Sequence, residues 1–167
     1  MARSAAKKIE PPSSIKDKVI FDGPHAVTDA VLEKAEEELL ALSDEYLIHA
    51  ADDVDTLRQS FAELSNTETD QALYLGEIFG VAHNIKGKGG TFGYDLATNI
   101  ANQLCRFIEE IPEQPDDFAL KIIELYIDTL ARVNSDNLIG DGGPVGKDLL
   151  NGLYDIHVKW RSASKSH

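Results

Sequence analysis

One long series of regularly spaced apolar residues sets the first limit on how this chain can fold. Between Leu32 and Leu64 an apolar side chain recurs at every third or fourth position. The members are Leu32, Ala35, Leu39, Leu42, Tyr46, Ala50, Val54, Leu57, Phe61 and Leu64. This spacing puts one apolar stripe on a helix, so it predicts a continuous α-helix over about residues 28–64. A break near Ala51 is the alternative, because Asp52 could cap a second helix.

The same criterion predicts three further helices in the middle of the chain. Asp70 is suited to cap a second helix that carries residues 75–94. A third is expected over about residues 94–111, ending at Pro112, and a fourth after Pro115-Asp116-Asp117. The inward side chains of the fourth are predicted to be Phe118, Ile122, Leu125, Tyr126 and Val133.

The C-terminal part predicts a loop and one more short helix. Residues 140–146 contain four glycines and Pro144, a composition typical of a loop. Beyond them Leu149, Leu153, Ile156 and Trp160 share one helix face. No segment has the alternating pattern of a strand. The fold class we expect is therefore all-α, an antiparallel four-helix bundle with a long N-terminal helix and an extra C-terminal helix.

Composition sets the expected domain organisation. A length of 167 residues is enough for one domain with a sizeable core. Residues 1–14 are basic, rich in Ser and Ala, and include two prolines, so we interpret residues 1–24 as a flexible N-terminal arm. Residues 25–161 are expected to form the helical domain, and residues 162–167 a disordered polar tail.

Charge and cysteine content exclude several classes of function. The net charge of −13 argues against binding to nucleic acid or to an anionic membrane surface, since both need clustered Lys and Arg. No apolar run reaches the roughly 20 residues that span a bilayer, so we expect a cytoplasmic protein. Cys105 is the only cysteine, which excludes an internal disulfide and argues against a thiolate zinc site. We expect no metal site.

The candidate site lies in residues 75–94, LGEIFGVAHNIKGKGGTFGY. At about 100° per residue, the side chains predicted to face the core, opposite His83, are those of Tyr74, Ile78, Val81, Ile85 and Phe92. Four glycines lie within about 60° of His83 on the outward side. We call Gly76, Gly80, Gly87 and Gly90 the glycine strip. Each glycine inside a helix lowers its stability by about 1 kcal/mol relative to alanine. The absence of four side chains leaves the imidazole of His83 accessible.

Neighbouring side chains suit the transfer of an anionic group. Lys86 is three residues after His83, on the same surface, where its ammonium group can stabilise a phosphoryl group bound to the imidazole. Phe79 lies about 40° from His83, where an aromatic ring would suit docking to a partner. Lys88 is about 140° away and would be a weaker helper. Imidazole is largely neutral at physiological pH, so it can act as a nucleophile without a dedicated base.

These residues resemble a known signature. Residues 82–87, Ala-His-Asn-Ile-Lys-Gly, followed by Gly93 and by Leu104 on the next helix, are similar to the motif of histidine phosphotransfer (HPt) domains of bacterial two-component phosphorelays. The resemblance covers roughly residues 73–109. It implies that His83 is phosphorylated on Nε2 and that Lys86 steadies the phosphoryl group.

The resemblance also implies how partners bind. Gly87 and Gly90 would leave room for a receiver domain, and the full set of expected partner-binding residues is Phe79, Gly80, Gly87, Lys88 and Gly90. HPt domains often use a third-helix glutamine to orient the imidazole. Cys105 occupies the equivalent position here, and Gln103 and Arg106 are the nearby candidates for that role.

The function implied is that of a phosphocarrier in a multistep His-Asp phosphorelay, without an ATP-dependent kinase activity of its own. Its partners would be receiver domains of response regulators or of a hybrid sensor histidine kinase. The protein would need no cofactor, because the receiver domain supplies the Mg²⁺, and it is expected to act as a monomer.

Three other functions would explain part of this pattern. In a helical interaction or scaffold protein, the glycines would serve close helix packing and His83 would be idle. A kinase-derived dimerisation module also carries a phosphorylated histidine, but there the next residue is typically acidic, and here it is Asn84. Residues 87–91 fail as a nucleotide-binding loop, because Gly89 stands where Ser or Thr must follow the lysine. The remaining histidines are most simply surface or capping residues: His25, His49, His157 and His167.

Overall fold

The computed structural model describes the backbone of residues 29–164 and the side chains of Lys34 and residues 46–164. Within this range the chain forms five α-helices and no strand: α1 (Asp29–Asn66), α2 (Gln71–Thr91), α3 (Asp95–Glu110), α4 (Asp117–Ser135) and α5 (Gly143–Ser164). The predicted all-α fold is confirmed. None of the helices in the described range is both long enough and apolar enough to cross a membrane.

Helix α1 is continuous, so the alternative break near Ala51 does not occur. The chain divides into two compact units, Met1–Ala41 and Leu42–His167, and the bundle belongs to the second. The predicted arm, residues 1–24, lies outside the described residues. Helix α5 continues to Ser164, so the first residues of the predicted tail are helical, and residues 165–167 lie outside the description.

Side-chain contacts define the order of the helices. From Leu42 onward, α1 packs against α2 and α4, and α3 packs against α2 and α4. In three of these pairs, residues that come later in one helix contact residues that come earlier in the other, so α1–α2, α1–α4 and α2–α3 are antiparallel. Helix α3 is then antiparallel to α4 as well, because α1 and α3 both run opposite to α2 and α4 runs opposite to α1. The contacts are Asp53–Lys88 and Ser60–Glu77 for α1 with α2, Ala50–Asn134 and Arg58–Asp128 for α1 with α4, Phe79–Cys105 and Gly89–Thr98 for α2 with α3, and Gln103–Tyr126 for α3 with α4.

Helix α5 is the extra C-terminal helix, and it packs outside the four against α3 and α4. Gln103 of α3 bonds to Leu150, and Glu110 at the end of α3 bonds to Arg161, so α5 runs parallel to α3. His157, predicted to be a surface or capping residue, is in fact only 5% exposed and lies edge-on to Phe107. Burial of His157 anchors α5 to α3.

Two details of the helices differ from the prediction. Phe118 and Leu125 are 43% and 38% exposed rather than inward. The buried face of α4 is formed by Ala119, Ile122, Ile123, Tyr126, Ile127, Leu130 and Val133, an unbroken series of three- and four-residue steps. Helix α5 begins at Gly143, inside the predicted loop, because Pro144 is compatible with the first turn of a helix.

Candidate functional site

His83 lies on the exposed side of α2. The buried residues of this helix are Leu75, Ile78, Ala82, Ile85 and Gly89. At about 100° per residue, the centre of that face is about 120° from His83, so the ring points outward but leans toward one flank of the helix. Phe79 and Lys86 occupy this flank, between His83 and the core. Since Cys105 contacts Phe79, it is the flank that faces α3.

The glycine strip borders open space. A Cβ atom built on Gly76, Gly80 or Gly87 would have no heavy atom within 4 Å outside its own helix turn. At Gly90 the nearest atom, Thr98 Oγ1, would be 3.9 Å away, which is an ordinary contact. Helix α2 includes all four glycines, so none of them lies in a loop, although Gly90 is in the last turn of the helix. Close packing within the described bundle therefore does not explain the strip.

Gly89 is the glycine that close packing does require. A Cβ at this position would lie 2.6 Å from Thr98 Oγ1 and 3.2 Å from the carbonyl oxygen of Tyr94. The helical pattern left Gly89 outside the glycine strip but could not show what it packs against, because its packing partners come from the turn and helix that follow.

The imidazole of His83 is supported on one side and open on the other. Its ring stacks beside Phe79, with ring centroids 6.0 Å apart and planes inclined at 25°. Among residues 46–164 no group donates or accepts a hydrogen bond at either ring nitrogen of His83. The backbone carbonyl of Phe79 in turn accepts a weak hydrogen bond from Cys105 Sγ at 3.9 Å, so α3 holds the residue that supports the ring.

Lys86 and Lys88 have different environments. Lys86 is half-buried on the α3 flank, close to Cys105. Burial raises the pKa of the Cys105 thiol, and the positive charge of Lys86 acts in the opposite direction. No carboxylate in the described part of the chain forms an ion pair with Lys86. Lys88, an expected partner-binding residue, lies on the opposite flank, where its Nζ is 3.1 Å from Asp53 Oδ2 of α1.

The structure places Gln103 away from His83. Its Nε2 donates to the carbonyl oxygen of Leu150 at 3.3 Å, and its Oε1 accepts from the Tyr126 hydroxyl at 3.3 Å. The amide therefore faces α4 and α5, and the predicted role of Gln103 in orienting the imidazole is not supported. The α3 residue that does face α2 at this level is Cys105, which bonds to the backbone of Phe79 and not to His83.

An apolar groove opens beside the strip. It has a volume of about 240 Å³, and Glu113 is the one charged residue among those that line it. The apolar lining residues are Ala72, Leu75, Gly76, Phe79, Ile108 and Ile111. Because Gly76 has no side chain, the groove is continuous with the open surface around His83. A partner that approaches the imidazole would therefore also meet apolar surface.

The described residues contain no group of three or more His, Cys, Asp or Glu side chains placed to hold a metal ion. Comparison of the chain with models of protein families, with curated proteins and with solved structures finds no match. The functional argument therefore depends on the geometry around His83.

Proposed function

We propose that this protein is a histidine phosphotransfer intermediate. His83 would accept a phosphoryl group from an aspartyl phosphate of one receiver domain and donate it to an aspartate of another. One observation carries the proposal: an exposed imidazole with no hydrogen-bond partner among residues 46–164 lies in a helical strip whose Cβ positions open into free space.

The chemistry requires close approach from outside. In the forward step Nε2 attacks phosphorus, the N–P bond forms, and the O–P bond to the aspartate breaks in line with it, leaving a free carboxylate on the partner. Both protein backbones must come near one phosphorus atom, which side chains at Gly80 or Gly87 would hinder. The return step is the reverse of the first.

Two side chains support the phosphorylated state. The ring of Phe79 limits the directions available to the imidazole, which lowers the entropy lost on reaching an attack geometry. The ammonium group of Lys86 has no carboxylate partner in the described part of the chain, and it would offset part of the roughly two negative charges of a phosphoryl group.

The partners are proposed on the same basis. A receiver domain would supply the reactive aspartate and the Mg²⁺, so this chain would act as a monomeric carrier with no cofactor and no ATP-dependent kinase activity. Receiver domains of response regulators and hybrid kinases work in the cytoplasm, and we place this protein there.

The test is transfer of radiolabelled phosphoryl groups from a panel of phosphorylated receiver domains. We expect label to move to the protein in an acid-labile, alkali-stable form, as a phosphohistidine requires, and to be absent from His83→Gln. His49→Gln is the matched control, because His49 is an exposed histidine of α1. Label that persists in His83→Gln, or no transfer from any receiver domain, would refute the proposal.

A further inference from the structure

A second groove lies between α3 and α5 and has a volume of about 390 Å³. Its lining is polar, and it includes Asn102 and Arg106 of α3 and Tyr154 of α5. A bundle of four helices would be complete without α5. The presence of α5 adds one wall of this groove, and the question is what the groove binds.

Arg106 is a cation without a partner in this groove. Glu110, four residues later on the same helix, is at the spacing where a carboxylate normally pairs with an arginine. Both oxygens of Glu110 are engaged elsewhere: Oε1 accepts from Arg161 Nη2 at 2.6 Å, and Oε2 accepts from Arg161 Nε at 2.9 Å and lies 3.1 Å from His157 Nε2. No other carboxylate in residues 46–164 forms an ion pair with Arg106, which is exposed. Within the described side chains, Glu110 is bound to α5 and the guanidinium of Arg106 has no carboxylate partner.

A series of neighbouring residues links the groove to the His83 site. Cys105 contacts Phe79, and Phe79 stacks on His83. At about 100° per residue, Arg106 comes between the direction of Cys105, which faces α2, and that of Gln103, which faces α5. An interface of ordinary size covers about 800 Å² of each protein, a patch roughly 30 Å across. Packed helices lie about 8–10 Å apart, so a patch of this size that includes His83 and extends over α3 also includes Arg106 and borders α5.

Charge favours this flank over the other. On the α1 side the lysine of α2, Lys88, is already paired with Asp53. On the α3 side no carboxylate of residues 46–164 forms an ion pair with Lys86 or Arg106, although Glu109 lies near Cys105 and the net charge of the chain is −13. Two free cations in an acidic protein form a local contrast that a negatively charged surface would recognise.

Tyr154 supplies the second element of a binding site. Its side chain is 55% exposed at the groove although it is large and aromatic. Tyrosine and arginine are enriched among the residues that dominate binding energy at protein interfaces, because they combine large contact area with directed hydrogen bonds.

We propose that the α3–α5 groove is the part of the docking surface that selects the receiver domain, with Arg106 binding a carboxylate of that domain and Tyr154 packing against it. This inference depends on the proposed phosphotransfer function, and it assigns to α5 the role of shaping the surface that partners read. The occupant is an acidic segment of the protein whose aspartate exchanges phosphoryl groups with His83.

The experiment separates loading of His83 from docking. The full-length protein is first phosphorylated with phosphoramidate, a small donor that needs no docking surface, and is then mixed with the receiver domain that exchanges label fastest with wild type. The variants are Arg106→Gln, Arg106→Glu and Tyr154→Ala. Lys121→Gln and Lys121→Glu, on the exposed side of α4, make the same charge changes away from the groove.

We expect all variants to load equally with phosphoramidate. Arg106→Glu should weaken receiver binding and kcat/KM for transfer about tenfold or more, Arg106→Gln and Tyr154→Ala less, and the Lys121 variants less than about twofold. The difference between wild type and Arg106→Glu should shrink as salt rises from about 50 to 300 mM, because exposed charges are screened.

Two failures can be told apart. If wild type transfers but the Arg106 and Tyr154 variants match the Lys121 controls, the groove is not a docking site and the phosphotransfer function stands. If loaded wild type transfers to no receiver domain, the proposed function fails and the groove inference fails with it.

Discussion

The glycine strip allows a prediction in which stability and activity change in opposite directions. Gly76, Gly80 and Gly87 are inside α2, and their Cβ positions are empty. Alanine at each position should therefore raise helix stability without a clash, by about 0.8–1 kcal/mol per site. The three sites do not share a packing partner, so the triple variant should gain about 2–3 kcal/mol in the free energy of unfolding. For a unit of this size that corresponds to a rise in Tm of roughly 10 °C.

Gly89→Ala is the matched control in the same helix. The gain in helix propensity is the same, but the new methyl group would lie 2.6 Å from Thr98 Oγ1 and 3.2 Å from a backbone oxygen. Overpacking of this kind costs about 1–3 kcal/mol, so the net change should be a loss of stability. Urea denaturation followed by circular dichroism measures both variants.

The functional part of this prediction uses a larger side chain. Gly87→Leu should leave helicity unchanged or increased, because the added atoms project into solvent, and should block transfer from a receiver domain. Loading with phosphoramidate should be reduced much less, since a small donor needs less room. If the triple alanine variant is no more stable than wild type, the strip is not open. If Gly87→Leu transfers at the wild-type rate, the strip is not the path of approach.

Three further predictions concern charged residues. Lys86→Ala should slow transfer about tenfold, the effect of losing one charge-assisted hydrogen bond, while the Tm stays within a few degrees of wild type; a collapse in Tm would contradict the assignment. Lys88→Ala should leave transfer unchanged and lower the free energy of unfolding by no more than about 0.5–1 kcal/mol, because it loses only an exposed ion pair; a transfer defect as large as that of Lys86→Ala would refute this. Burial acts to raise the pKa of Glu110, but hydrogen bonds from Arg161 and His157 outweigh it, so the pKa is lower than 4.5. Because the pKa of Glu110 is lower in the folded state, its ionised carboxylate stabilises the fold above about pH 4.5, and this stabilisation is lost as pH falls through the folded-state pKa. Glu110→Gln should thus narrow the difference in Tm between pH 7 and pH 3. An unchanged difference would contradict the link between Glu110 ionisation and stability.

Most of the fold was predictable because helical periodicity is local. The spacing of apolar residues predicted all five helices, and the predicted ends of α1 and α3 lie within two residues of those observed, whereas α5 is longer than the short helix expected. The predictions were wrong where contacts between helices, and not the spacing of apolar residues, decide which residues are buried or helical. Phe118 and Leu125 are apolar enough to be assigned to the core, yet the α4 face that meets its neighbours starts at Ala119. A glycine-rich stretch predicted a loop, but α5 begins at Gly143.

Part of the site was also predictable, because the direction of a side chain within one helix depends only on local periodicity. Exposure of His83 follows from angles within one helix, and the structure agrees with it. The centre of the buried face was misplaced, because Ala82 and Gly89 bury small surfaces where α2 and its neighbours approach closely, and a count of large apolar residues overlooks them. The partner of Lys88 is Asp53, 35 residues away, a contact that no pattern within α2 could indicate.

The position of Arg106 shows how a tertiary contact can create a site that its own helix does not encode. Read along α3 alone, Arg106 and Glu110 are an ordinary i,i+4 pair, and such a pair would neutralise the surface. In the structure Arg161 and His157 of α5 bind both oxygens of Glu110, and no carboxylate of residues 46–164 pairs with Arg106, which lies next to the residues that support His83. The same contact that fixes α5 to the bundle thus changes the charge presented to a partner. On this argument, a variant that loosens α5, such as Arg161→Ala, should weaken receiver binding by returning Glu110 to Arg106, even though Arg161 itself need not touch the partner. Measured receiver affinity equal to wild type in Arg161→Ala, with α5 shown by hydrogen exchange to be loosened, would refute this coupling.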